Sequence, residues 1–193
     1  MKTTRLEAFS DGVLAIIITI MVLELKVPEE HTWSALGDSA TGFLTYLLSF
    51  VYIGIYWSNH HHMFQVVESV SGGVLWANLH LLFWLSLLPF TTGWMDESGF
   101  EPVPTMVYGI DLLLAAIAYF VLQLTIYRQP GGVRLRQALG RDVKGKASPV
   151  LYVVGIACSV FSPTLGVAVF TVVALLWLVP DRRVERYLTQ DAV

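Results

Sequence analysis

The sequence predicts an all-α, polytopic integral membrane protein, and three observations lead to this prediction. Of the 193 residues, 55% are hydrophobic and only 14% are charged. The mean hydropathy is +0.62, a value that a water-soluble domain of this size rarely reaches but a chain with several membrane spans does. The apolar residues also form long segments, and most charged residues lie between those segments.

The chain divides into six apolar segments separated by polar turns. They cover approximately residues 4–26, 36–62, 74–94, 105–127, 148–161 and 164–179. The last two are short and nearly contiguous, so they form either an antiparallel hairpin or one broken segment. No linker is visible, and we expect a single six-helix transmembrane domain over residues 1–193.

The distribution of basic residues favours the hairpin and fixes an expected orientation. With six crossings, eleven of the twelve Lys and Arg residues lie on one side, and only Lys26 lies on the other side with the acidic loops. Basic loops stay in the cytoplasm, so we expect both termini to be cytoplasmic in a cell inner membrane or plasma membrane. An odd number of crossings would separate Lys2 from the basic C-terminal tail.

The first segment contains the feature that points most directly to function. Its uninterrupted apolar part, residues 13–23, is broken only by Thr19 and covers about half of a ~30 Å hydrocarbon core. Asp11 therefore lies at or inside the polar boundary of the membrane. Ionisable side chains at that depth usually face protein or water, so we interpret this segment as a pathway helix shielded by the others.

The spacing of residues in this helix leaves two interpretations open. Ile16, Ile20 and Leu23 follow an i, i+4, i+7 pattern and form one stripe, with Thr19 at its edge. Asp11 points about 140° away from Ile16. The stripe either lines a pathway or packs against other helices, in which case the Thr19 hydroxyl bonds to its own helix.

A short motif adds a resemblance to a known family. Arg5, Phe9, Ser10 and Asp11 fit the pattern R-x-x-x-F-S-D, and Thr19 follows the aspartate by eight positions. This pattern resembles the signature of the lysosomal and endosomal potassium channels that lack a TVGYG filter, and of their bacterial relatives. The six-segment layout also matches, so the resemblance covers nearly the whole chain.

The resemblance implies a homotetramer in which the first helix of each six-helix subunit lines a central pore. It implies a narrow apolar ring five residues after the aspartate, at Ile16, with further rings at Ile20 and Leu23. Thr19 would supply an adjoining layer of hydroxyl groups. Potassium would be the permeant ion of a leak-type channel in the lipid bilayer, with no cofactor.

Polar residues at membrane depth form a second candidate group. Arg5 and Asp11 lie on the first segment, and Trp57 and His60 lie one turn apart near the end of the second, on the same expected side. Buried polar groups in a bilayer must satisfy one another, and the resemblance implies a network between the helices. The expected network comprises Arg5, Phe9, Ser10, Asp11, Trp57, His60 and Asn78, and we expect it to hold the pore helix.

Other classes of function fit less well. His60, His61 and His62 are consecutive and point in different directions on a helix, which makes a metal site unfavourable. No nucleophile–base pair and no nucleic-acid motif is present, so we expect neither an enzyme nor a nucleic-acid partner. The open alternative is a proton-conducting channel or secondary transporter that uses Asp11 and the membrane histidines, although among the first four segments only Pro89 offers the mid-span break common in transporters.

Overall fold

The computed structural model describes residues 3–65, 67, 70–129 and 143–178, and the regular structure of these residues is α-helical. The helices are α1 (Thr3–Leu23), α2 (Trp33–Asp38), α3 (Ala40–Gln65), α4 (Gly72–Leu85), α5 (Leu88–Glu97), α6 (Pro102–Tyr127), α7 (Val143–Phe161) and α8 (Pro163–Leu178). The predicted all-α class is therefore confirmed.

Local sequence signals explain where several helices begin. Ser71 caps α4, because its hydroxyl oxygen accepts a hydrogen bond from the Val74 backbone N–H. Thr32 caps the short helix α2 in the same way. Proline opens α6 at Pro102 and α8 at Pro163, positions at which a helix does not use the backbone N–H that proline lacks.

The third predicted segment, 74–94, is divided into two helices. Helix α4 ends at Leu85 and α5 begins at Leu88, with Ser86 and Leu87 between them. Pro89 explains the break, because its ring would clash with the carbonyl group of Leu85 in a continuous helix. The second predicted segment, 36–62, also differs, because α2 ends at Asp38 before α3 begins.

Four stretches are long and apolar enough to cross a membrane by length and composition. They are Thr3–Leu23, Ala40–Gln65, Gly72–Glu97 and Pro102–Tyr127, the third of which combines α4 and α5. Pro163–Leu178 is apolar but shorter. This criterion thus supports four of the six predicted crossings.

Helix α6 lies at the centre of the subunit and contacts α4, α5, α7 and α8. Its inward face is fully buried along its whole length, from Tyr108 through Leu112 and Leu122 to Ile126. Small residues on the same face, including Ala115, allow the neighbouring helices to approach closely. Helix α6 is therefore the core around which the others pack.

Helices α7 and α8 form an antiparallel hairpin. The Trp177 indole N–H near the end of α8 donates a 2.8 Å hydrogen bond to the Ser148 hydroxyl near the start of α7. At the other end, Gly166 lies so close to α7 that a Cβ atom there would be 2.9 Å from the Gly155 carbonyl oxygen. The sequence left open an antiparallel hairpin or one broken segment. The structure shows the hairpin and excludes the broken segment.

Most of the basic residues that determine the expected orientation lie outside the described residues. They are Lys2, Arg134, Arg136, Arg141, Arg182, Arg183 and Arg186. The predicted orientation of the termini accordingly stays a prediction at this point.

Candidate functional site

Helix α1 has two faces that differ in what covers them. It packs against α3, α4 and α5 through one buried side, on which Leu14, Ile17 and Met21 are each about 3% exposed. On the opposite side, Ile16 is 59% exposed and Leu23 is 82% exposed. The sequence-predicted stripe of Ile16, Ile20 and Leu23 therefore lies on the face that the rest of the subunit leaves uncovered.

Thr19 lies on the same uncovered side of α1. Its hydroxyl group donates a 2.8 Å hydrogen bond to the Ile16 carbonyl oxygen one turn earlier. The hydroxyl proton is thus used within the helix, as expected for threonine in a membrane span. The remaining lone pairs of the hydroxyl oxygen stay available on the exposed side as acceptors.

A buried chain of hydrogen bonds connects α1, α3 and α4. His60 Nε2 lies 2.8 Å from the Asn78 side-chain oxygen, and the Asn78 amide donates a 3.0 Å hydrogen bond to the Ser10 hydroxyl. Ser10 in turn donates to the Leu6 carbonyl oxygen at 2.9 Å. All three side chains are at most 3% exposed. Because the Asn78 oxygen only accepts, this hydrogen bond requires a proton on His60 Nε2.

A second, more exposed set of contacts connects α1 to α3. The Trp57 indole N–H donates a 3.0 Å hydrogen bond to the Asp11 carboxylate. One turn away on each helix, His61 Nδ1 lies 3.8 Å from the Glu7 carboxylate, and the His61 ring stacks on the Trp57 indole. These contacts fix the rotation of α1 relative to α3.

Two predicted members of the network lie outside both sets. Arg5 and Phe9 are exposed on the same side of α1 as Ile16, and Phe9 remains 54% exposed. Among the described residues, Arg5 forms no ion pair with Asp11. The expected mutual satisfaction of Arg5, Asp11 and His60 is therefore not found within one subunit, because Arg5 and Asp11 point about 120° apart on the helix.

The three consecutive histidines have separate surroundings. His60 is buried against Asn78, whereas His61 faces Glu7 and also lies 2.9 Å from the Gln65 amide nitrogen. Across the residues that the structure describes, no group of three His, Cys, Asp or Glu side chains is arranged to hold a metal ion. Their directions differ because consecutive helical residues are about 100° apart.

The Glu7–His61 contact was not predicted from the sequence, although a signal was present. Glu7 and Asp11 are four residues apart on α1, and Trp57 and His61 are four residues apart on α3. Two i, i+4 pairs of complementary polar residues indicate two facing helix stripes. The motif around Asp11 includes neither Glu7 nor His61 as a defined position.

An acidic cluster, also unpredicted, lies at the C-terminal end of α1. Glu24, Asp96 and Glu97 line a concave surface together with Lys26, which forms a 3.1 Å ion pair with Glu97. The pKa of the Glu24 carboxyl group is raised above its usual value, first by partial burial and second by the negative charge of Glu97. The exposed face of α1 thus ends beside three carboxyl groups.

Comparisons with known proteins identify the family of the chain. A family model described as endosomal/lysosomal potassium channel TMEM175 matches residues 5–89. A potassium channel of a Chryseobacterium species is 52% identical over 99% of this chain and 100% of its own length. The chain belongs to the TMEM175 family. The resemblance inferred from the sequence motif is confirmed.

Two further relatives extend the comparison. The crystal structure of a lysosomal potassium-selective channel TMEM175 homolog from Chamaesiphon minutus matches with a TM-score of 0.76 and 33% identity, over 91% of this chain and 96% of that chain. The endosomal/lysosomal proton channel TMEM175 of Gallus gallus is 28% identical over 64% of this chain, but over only 25% of its own length.

Membership in the TMEM175 family, together with the apolar helices, identifies a multi-pass membrane protein. The family is one of ion channels, which are not enzymes. The range 5–89 matched by the family model includes the exposed stripe of α1 and both sets of polar contacts.

Proposed function

We propose that the protein is a potassium-selective leak channel in which α1 lines the ion pathway. One observation supports this most strongly: α1 is held to the subunit by one face only, and its opposite face carries an apolar stripe that nothing in the subunit covers. A potassium channel matches this chain in sequence at 52% identity, and the structure of a potassium-selective channel matches its fold at 33% identity. Potassium is the permeant ion, and no cofactor takes part.

The uncovered face of α1 can line a pore when several subunits surround a common axis. We infer a homotetramer: one subunit contributes one stripe and a closed pore requires several symmetric copies, and the number four is what the family resemblance implies. In this assembly Ile16 forms the narrowest ring, and Ile20 and Leu23 form further rings along the pore. The whole chain, residues 1–193, acts as one six-helix channel domain embedded in the lipid bilayer.

Selectivity in this proposal arises without a filter of backbone carbonyl groups. An apolar ring resists wetting, so an ion that passes it must lose part of its hydration shell. The Thr19 hydroxyl oxygens, whose protons are used within the helix, offer lone pairs next to the ring and replace part of the lost water. Potassium holds its water less tightly than sodium, so this pathway favours potassium.

The polar contacts of α1 position the pore helix and bear on gating. The buried chain through Ser10, Asn78 and His60 prevents α1 from sliding, and the Trp57–Asp11 hydrogen bond sets its rotation. Arg5 and Phe9 are exposed on the face of Ile16, so their partners belong to neighbouring subunits. None of these residues needs to contact the ion.

The proposed topology has six crossings with both termini in the cytoplasm of a cell inner membrane or plasma membrane. The antiparallel α7–α8 hairpin supports the fifth and sixth crossings, and the basic loops support the orientation. Labelling intact cells tests it: a membrane-impermeant thiol reagent should modify Glu97→Cys and spare Lys146→Cys in a Cys158→Ser background. The reverse pattern would exclude this orientation.

The pore constriction is tested by a polar substitution and a matched control. Ile16→Asn should wet the ring, raise conductance and increase sodium permeability relative to potassium several-fold. Val22→Asn makes the same chemical change on an exposed residue of α1 that points about 120° away, and should leave selectivity unchanged. Equal effects of both substitutions, measured from reversal potentials in planar bilayers, would show that Ile16 does not form the constriction.

A proton pathway or a secondary transporter is the weaker alternative. The proton-channel relative supports it only at 28% identity over a quarter of that protein. In this subunit Asp11 and His60 belong to two separate sets of hydrogen bonds. Single-channel currents under a potassium gradient support the channel, whereas saturable flux coupled to protons would establish the transporter.

A further inference from the structure

Asp111 is a buried acidic residue that takes no part in the ion pathway proposed for α1. It is the one charged residue of α6, the central helix, and it is only 4% exposed. It lies nine residues from the start of α6, about 14 Å along the helix axis. Asp111 is therefore a carboxyl group in the interior of a membrane-spanning bundle.

Among the described residues, the Thr91 hydroxyl group is the hydrogen-bond partner of the Asp111 carboxyl group. Its Oδ2 atom lies 3.1 Å from the Thr91 hydroxyl oxygen on α5, and that oxygen also lies 3.4 Å from the Leu88 carbonyl oxygen. Its Oδ1 atom is buried and has no hydrogen-bond partner among the described residues. A neighbouring cluster of the same kind joins the hydroxyl groups of Ser49, Thr92 and Tyr108.

The surroundings of this carboxyl group favour its protonated form. The Thr91 hydroxyl group donates to Asp111 Oδ2 at 3.1 Å, and its 3.4 Å contact with the Leu88 carbonyl oxygen is the longer of the two. Within the described residues this one donor is the only hydrogen bond that the carboxyl group receives, because Oδ1 has no partner. An unpaired oxygen of a neutral carboxyl group costs far less free energy in a membrane interior than an unpaired oxygen of a carboxylate.

No neighbouring element supplies a cation that would stabilise a carboxylate. Within the residues that the structure describes, α8 has no charged residue, α4 and α3 contribute histidines bonded elsewhere, and Asp96 and Glu97 on α5 are acidic. On α7, Lys146 and Lys144 lie about 15 and 18 Å along the helix axis from Ile156, the residue that packs beside Gly109 of α6. The titratable groups close enough to interact with it electrostatically are the phenols of Tyr56 and Tyr108, and both are uncharged.

We propose that Asp111 is a proton-binding site, occupied at neutral pH, whose carboxyl group accepts a hydrogen bond from Thr91 and holds α5 against α6. Binding requires only a proton from water and forms one O–H bond. The consequence extends to α1, because α5 also packs against α1 and its Gly93 lies beside the Glu24 carboxylate. This proposal does not depend on which helix lines the pore.

Infrared spectroscopy of the protein in lipid tests the proposal directly. A protonated carboxylic acid has a carbonyl stretching band at higher frequency than a carboxylate. At neutral pH wild type should show this band, Asp111→Asn should lack it, and the exposed control Asp38→Asn should retain it. Thr91→Val should keep the band but shift it, because the hydrogen-bond donor to the carboxyl group is removed.

A band at neutral pH that Asp111→Asn retains, or no band in wild type, would overturn the proposal. The second result would mean that Asp111 is a carboxylate, neutralised by a bound cation in place of a proton. The absence of a band is readable in wild type alone, and the shift in Thr91→Val assigns a band to Asp111 in a chain that keeps this carboxyl group, so the test survives if Asp111→Asn does not fold.

Thermal unfolding against pH provides an independent measurement. The native protein holds a proton that the unfolded chain releases above about pH 4, so its stability falls as the pH rises. Asn mimics the protonated form at every pH. The melting temperature of wild type relative to Asp111→Asn should therefore fall by about 3 °C or more between pH 5 and pH 9. A constant difference across this range would contradict the proposal.

Discussion

Helices α1 and α6 are both long and apolar enough to cross a membrane, but they are buried differently. The inward face of α6 is fully buried within the subunit, where α4, α5, α7 and α8 surround the helix. Helix α1 lies at the rim and leaves Ile16, Ile20 and Leu23 uncovered. The difference shows that apolarity alone does not reveal which faces of a helix its own subunit covers.

The side chains of the two helices account for this difference. Helix α6 presents small residues to its neighbours, among them Gly109, Ala115 and Ala118, so that other helices approach closely. Helix α1 carries large branched residues on its free side and polar residues at its N-terminal end. A large apolar surface left exposed by a subunit marks a contact with another molecule or with lipid.

The largest expected effect is a glycine-to-alanine substitution in the core. A Cβ atom at Gly109 of α6 would lie 2.8 Å from Ile156 and still closer to the Phe170 ring. Gly109→Ala should therefore cost about 2–3 kcal/mol of unfolding free energy and lower the melting temperature by about 4–12 °C. Gly12→Ala on α1 meets no atom within 4 Å and should not lower it. Equal losses in thermal unfolding would mean that α1 is as enclosed as α6.

The next largest effect is the loss of unfolding free energy when a buried polar residue that bonds other helices is removed, compared with one that bonds within its own helix. Asn78 connects α3 to α1, so Asn78→Leu leaves His60 Nε2 without its partner, removes the donor to the Ser10 hydroxyl oxygen and should cost about 2 kcal/mol. Gln123 of α6 donates within its own helix, to the Tyr127 hydroxyl, and Gln123→Leu should cost about 1 kcal/mol. Chemical or thermal unfolding measures both. A larger loss from Gln123→Leu would contradict the assigned role of Asn78.

A smaller effect is expected at the rim of α1. Trp57→Phe keeps the aromatic ring but removes the N–H that bonds Asp11, at a cost of about 1 kcal/mol in this exposed position. Because this bond sets the rotation of α1, open probability should change while potassium selectivity stays the same. Trp76→Phe, on an exposed surface of α4, is the control and should alter neither property in single-channel recordings.

The smallest effect concerns the acidic cluster beside the end of α1. The raised pKa of Glu24 means that this carboxyl group takes up a proton at a higher pH than an ordinary glutamate does. Acidification through that range should remove one negative charge per subunit and slightly lower potassium conductance. Glu24→Gln should show the lower conductance at neutral pH and lack this pH-dependent component. A pH dependence identical to wild type would exclude Glu24 as its source.

Much of this organisation was predictable from the sequence. The apolar segments and the turns at Ser71 and Pro163 predict helices close to those observed. The motif around Asp11 predicts the family. The stripe of Ile16, Ile20 and Leu23 was also visible from spacing. These features are local, and local periodicity and capping determine them.

Features that depend on side-chain partners were not predictable. The sequence predicts one network that includes Asp11, Trp57, His60 and Asn78, but it does not specify that Asp11 pairs with Trp57 and His60 with Asn78 in two separate sets. Pro89 offers a mid-span break, but the spacing does not specify the two separate helices α4 and α5. Such outcomes depend on the packing of several helices at once, which one sequence does not specify.

The central claim is that the uncovered face of α1 lines a water-filled pathway, and one measurement tests it directly. In a Cys158→Ser background, cysteine replaces either Leu23 on α1 or Leu124 on α6, both of which are exposed apolar residues. A water-soluble thiol reagent should reduce potassium current through Leu23→Cys and leave Leu124→Cys unaffected. If the reagent leaves Leu23→Cys unaffected, or blocks both equally, the pathway does not follow α1.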